Sequence, residues 1–190
     1  MEPFETGASM ILGISIPAFT IIHVVISLIA IASGLVVVFG MIGSHRVPRL
    51  TALFWVTTVL TTVTGFMFFL SPTQARVLTP AAATGIVATI FFVLGLIALY
   101  GKQLYGRWRW IYAIAATTSL YLNIFVLIVQ SFQKLSVINP AATLTPPFAG
   151  PPFAPPADFH FAVAQGAALV IAVMLGIVTA LKFRRGPGLV

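Results

Sequence analysis

The chain has no cysteine, and only three of its 190 residues are acidic: Glu2, Glu5 and Asp158. The first absence excludes disulfides, thiolate nucleophiles and cysteine-ligated metals. The second leaves no paired carboxylates for acid–base chemistry, because all three lie outside the long apolar stretches. Charge of either sign is scarce. Charged residues make up 7% of the chain, against about 25% in a soluble domain. A surface facing water cannot be covered with so few. No glycine-rich phosphate loop occurs, and no hydrolase or transferase constellation, so the sequence reads as a non-enzyme.

What the chain has instead is apolar length. Hydrophobic residues make up 59% and the mean hydropathy is +1.09. Hydrocarbon is therefore the solvent for most of it. A helix crosses the bilayer core with about 20 apolar residues, and five segments qualify: 17–42, 50–70, 81–100, 108–132 and 159–183. They predict one all-α domain over 1–190, an integral membrane bundle of five transmembrane helices. The stretch Met10–Ile16 is surplus length, either an extra turn or an interfacial segment. The acidic start "MEPFETGAS" lacks the basic flank of a secretory signal, so the first run reads as an uncleaved span.

Basic residues set an expected direction. Arg46, Arg49, Lys102, Arg107, Arg109, Lys182, Arg184 and Arg185 all fall on one side of the spans, while the other side holds only Arg76 and Lys134. The positive-inside rule places the larger group in the cytoplasm, with the N-terminus outside and the C-terminus cytoplasmic. The net charge of +7 then reflects topology and contact with anionic lipid heads, with no role for nucleic acid. Tyr100, Tyr105, Trp108, Trp110 and Tyr112 gather at the same side, as an interfacial anchor would.

Lipid supplies no hydrophobic drive between helices, so small residues must bring backbones together. In the last span Ala164, Ala168, Ala172, Gly176 and Ala180 recur every four residues and predict a flat ridge, suited to a neighbouring helix, a membrane protein partner or a second copy. In the first span His23, Ser27, Ala30 and Gly34 share a face. The second span carries Thr57, Thr58, Thr61, Thr62 and Thr64, whose hydroxyls can return to their own helix. The fourth presents Ser119, Asn123 and Gln130 on one stripe, which should face the bundle.

Depth brings these together. The spans place His23, Asn123, Gln130 and His160 in one outer-half layer, with Asp158 and Gln165 nearby and Ser27 on the His23 face as further candidates, and leave His45 at the opposite face. Ionisable groups at membrane depth point to function by default. Three readings stay open. The histidines are satisfied structural residues; or the layer lines a pocket for a lipid or quinone head group; or it ligates, as a b-type haem between His23 and His160, or a metal held by His23, His160 and Asp158. The loop 139–158 contains "PPFAGPPFAPP". Eleven residues at polyproline rise reach about 30 Å, which suits either a stiff lid over the layer or a spacer between the last two spans.

The segment "YLNIFVLIVQSFQKL" at Tyr121–Leu135, the Pro-Pro-Phe loop, "AVAQG" in the last span, and His23 followed by Gly34 together resemble a family of small multi-pass bacterial inner-membrane proteins of unknown function. The resemblance implies a bacterial cytoplasmic membrane and draws attention to His23, Asn123 and Gln130. The expected function is an accessory or binding component with a small polar pocket. The alternatives are a redox component using His23 and His160, and a small transporter, which the absence of charges within the spans and of an internal repeat disfavours.

Overall fold

A computed structural model of the chain describes residues 10–69, 80–135 and 159–185. Strands β1 (Met10–Ile11) and β2 (Ile14–Ser15) form a small antiparallel hairpin. Helices α1 (Ile16–Ile42), α2 (Pro48–Phe69), α3 (Pro80–Leu96), α4 (Trp108–Lys134) and α5 (Phe159–Arg185) follow. All five are long and apolar enough to cross a membrane, the third once the segment Ala82–Gly101, which runs past the end of α3, is counted. The Pro-rich loop 139–158, with Asp158, and Arg76 lie outside the described residues.

Prolines mark the helix starts. Pro17 sits in the first turn of α1, and Pro48 and Pro80 open α2 and α3. A first-turn N–H has no intrahelical acceptor, so its absence costs nothing there. The stretch before α1 is not an extra helical turn. It folds back as the hairpin, with Leu12 (φ 53°) and Gly13 (φ 77°) at its tip. Two consecutive positive φ values are the condition of a type I′ turn. The hairpin buries Ile11 against Phe19 of α1 and Phe68 of α2.

Helix α3 is 17 residues long, which at 1.5 Å per residue gives about 25 Å, short of the ~30 Å core. A π-helical turn, Ile97–Gly101, carries it further, with Lys102 N–H donating to the Ile97 carbonyl five residues back.

Helix α1 packs on α2 and α4, and α3 packs on the same two, so α1–α4 close a four-helix ring. Helix α5 lies outside it against α4 and α1. The main core fills the half of the ring near the C-terminal end of α1. There Val37, Val38, Phe54, Trp55, Ala98, Tyr112, Ala116 and Leu120 are buried together. Two glycines make this packing possible. A Cβ on Gly34 would stand 2.8 Å from the Phe54 ring, and one on Gly95 would overlap the Trp55 ring. Both aromatics therefore lie directly on a helix backbone. Tyr112 departs from the expected interfacial belt. It is only 2% exposed, and its hydroxyl oxygen accepts from Trp55 Nε1 at 3.4 Å. Tyr100 and Tyr105 of that belt are exposed.

The small-residue ridge of α5 turns toward α4. Gly176 faces the Thr117 methyl, Phe161 meets Phe132, and Phe183 meets Tyr112. The ridge is thus used within the chain. The opposite face, with Val170, Met174 and Ile177 more than half exposed, is the one turned outward. An exposed apolar face of that size is stable against lipid and not against water.

Candidate functional site

The half of the ring away from the main core is less tightly filled. Four helices leave a part-open cleft of about 170 Å³ between them. Helix α1 contributes Thr20, His23, Val24, Ser27 and Leu28, at the 3–4 residue spacing of one helical face. Helix α2 contributes Thr61, Thr62, Gly65, Phe66 and Phe68; α3, Thr84, Gly85 and Ala88; and α4, Leu122, Asn123, Val126, Leu127 and Gln130. Helix α5 lines none of it.

The threonines behave as lipid requires. Thr57, Thr62 and Thr64 return their hydroxyls to the carbonyls of Leu53, Thr58 and Leu60 at 2.7, 3.0 and 2.7 Å. Thr20 does the same to Ile16 at 2.8 Å. Ser27 donates to the His23 carbonyl at 2.7 Å and lies 3.4 Å from Thr61 Oγ1. These groups are polar in composition but largely satisfied within their own helices.

His23 joins this network. Its Nδ1 lies 2.7 Å from Thr64 Oγ1. The same hydroxyl lies 2.7 Å from the Leu60 carbonyl, and a threonine that donates there accepts from the imidazole. The ring stands edge-on to Phe68 at 5.5 Å, in the space that Gly65 leaves open.

The amides of α4 are less engaged. Asn123 Nδ2 reaches Thr58 Oγ1 at a long 3.5 Å. Gln130 is half-buried, lines the cleft and has no hydrogen-bond partner among the described residues. An amide has two donors and an acceptor, and in an apolar setting each unmade bond is costly. Ser119, expected on the same stripe, is buried, and its hydroxyl has no partner among the described residues.

Of the predicted layer, His23, Ser27, Asn123 and Gln130 come together at the cleft. His160 and Gln165 do not line it. His160 is exposed in the first turn of α5, beside Phe159. Gln165 donates through Nε2 to the Phe125 carbonyl at 3.0 Å and so ties α5 to α4. The expected three-helix layer assumed that α5 joined the ring, and its place outside accounts for both departures. His23 and His160 therefore do not face each other across the cleft, and no group of three metal-ligating side chains occurs among the described residues. Sequence reasoning missed the α3 wall, Thr84 and Gly85, and the aromatic pair Phe66 and Phe68. Only Thr20, three residues before His23 on the same face, carried a visible signal.

The size of the cleft narrows what it can hold. An apolar cavity of about 150 Å³ takes one benzene ring. The cleft here is of that order and suits a single ring or a short acyl segment. Compared with known protein families, curated proteins and solved structures, the chain matches none.

Proposed function

We propose that this chain is a non-enzymatic multi-pass protein of a bacterial cytoplasmic membrane, of the small inner-membrane family it resembles, and that its cleft holds the ring or head group of a quinone-like or lipid-like molecule. The observation that carries this reading is the Gln130 amide, half-buried at an apolar cleft with no protein partner among the described residues. An amphipathic ligand with a carbonyl or hydroxyl supplies that partner. Asn123, seven residues earlier on the same face, offers a second polar contact, and the His23 imidazole lines the cleft one helix away. Phe66 and Phe68 provide the apolar surface a ring packs on.

The asymmetry of charge supports an N-out, C-in orientation, with the basic connectors in the cytoplasm. The cleft then lies in the outer half of the bilayer, reached from the lipid phase. The redox alternative through paired imidazoles has less support, because among the described residues His23 lines the cleft and His160 does not.

A photoreactive quinone with a short isoprenoid tail tests the reading. Crosslinking in detergent, followed by peptide mapping, is expected to label residues of α1, α2 and α4 that line the cleft. Gln130→Leu is expected to lower labelling about fivefold, the effect of one hydrogen bond of ~1 kcal/mol. Gln165→Leu, outside the cleft, should leave it unchanged. Label spread over the outward face of α5, or insensitive to Gln130→Leu, defeats the proposal. So does a haem Soret band that His23→Ala abolishes.

A further inference from the structure

A second cavity lies at the other end of the bundle, and it does not depend on the reading of the first. It measures about 120 Å³ and opens where the α1–α2 connector, the π-helical turn after α3 and the start of α4 converge. Its rim carries Arg46, His45 and Tyr100, and its floor is Met41, Leu104 and Phe183. A cation, an imidazole and a phenol over an apolar floor form an amphipathic notch.

The notch is built by local backbone devices. His45 N–H donates to the Gly40 carbonyl at 2.8 Å, which folds the connector back over the end of α1. Gly43 permits this, since a Cβ there would stand 3.0 Å from His45 Nδ1. Ser44 and Leu104 both hold positive φ, 58° each, a conformation that costs non-glycine residues energy and needs support from the surrounding fold. The π-helical turn widens the end of α3 at Tyr100, and such turns are frequent at functional sites.

Charge identifies the occupant. No described residue is acidic, so Arg46 has no carboxylate partner among them. Arg49, Lys102 and Arg107 stand at the same end and add positive potential. A free inorganic anion has no use for the apolar floor. A phospholipid does, since its phosphate meets Arg46 and His45 while its glycerol and first acyl carbons cover Met41, Leu104 and Phe183. We infer that this notch is a specific seat for the phosphate of an anionic phospholipid, with Arg46 as its principal contact.

Native mass spectrometry of the full-length protein in a mild detergent, titrated with phosphatidylglycerol or phosphatidylcholine, tests this. The wild type is expected to retain phosphatidylglycerol preferentially. Arg46→Gln should reduce that retention about fivefold, the effect of one basic residue near the surface. Arg46→Lys should keep most of it. Arg107→Gln, at the same end but outside the notch, should change it less than about twofold. Arg46 is exposed, so these variants should fold, and unchanged helical circular dichroism checks it. Equal losses from Arg46→Gln and Arg107→Gln would reduce the effect to diffuse attraction and overturn the site. Equal retention of both lipids overturns it as well. Displacement of the lipid by an equal concentration of inorganic phosphate assigns the seat to a free anion and overturns the lipid.

Discussion

The two halves of the four-helix ring use similar residues to different ends. Near the C-terminal end of α1, Gly34 and Gly95 lie directly under Phe54 and Trp55, and a Cβ on either would collide with a ring. Near its N-terminal end, Gly65 meets nothing closer than His23 Cε1, at 3.7 Å. The second half packs tightly at Gly85, where a Cβ would stand 2.9 Å from the Phe66 ring, but leaves space at Gly65, whereas the first half is tight at both glycines. Within lipid, where helices associate through packing and not through a hydrophobic drive, the first half supplies the adhesion that allows the second to stay open.

Substitutions can sharpen this contrast or break it. The largest effect is expected from Trp55→Ala. In water such a truncation costs about 3–5 kcal/mol; here it should fall at or below ~3, because lipid still solvates the side chain when the helices separate. Reversible unfolding in mixed detergent micelles measures it. Gly95→Ala should follow, at about 1–3 kcal/mol, because its new methyl overlaps the Trp55 ring. If Gly95→Ala proves neutral, the tight half is not tight.

Gln165→Leu comes next. It removes the bond to the Phe125 carbonyl and should loosen α5 by about 0.6 kcal/mol, and at most ~1.7, read by the same unfolding assay or by protease access to α5. Gln130→Leu should leave stability within about 0.5 kcal/mol while lowering ligand labelling. A large stability loss there would make Gln130 a structural residue. The smallest effect belongs to Gly65→Ala. Its Cβ would make only ordinary contact, and the gain in helix propensity, at most ~1 kcal/mol, should offset it. A severe loss at Gly65 would show that the cleft half is packed as closely as the other.

The helices themselves were legible in the sequence. Five apolar runs predicted five helices, with ends within about two residues of those observed once the π-helical turn is counted with α3, because prolines and charges punctuate the chain sharply. The threonines of α2 were read correctly as hydroxyls that return to their own helix. The cleft was legible in part. His23, Ser27, Asn123 and Gln130 each carried a polar signal on a greasy face, and helical spacing aligned them. His160 and Gln165 carried the same signal, yet they lie elsewhere, since periodicity reports which side of a helix is distinctive and not which neighbour it meets. The hairpin before α1 was hidden because its residues are as apolar as the helix that follows. Only the turn at Leu12 and Gly13 separates the two.

Composition and spacing determined that this chain is helical, that five of its helices suit a bilayer, and that its cations collect at one end. These properties follow from transfer energies and local backbone geometry, which act residue by residue. The tertiary structure decided which helices close the ring, that α5 stays outside it, and that Tyr112 belongs to the core while Tyr100 overlooks a notch. Those outcomes depend on shape. Whether a ring fits a glycine on another helix is a property of two distant segments together, and neither segment carries it alone.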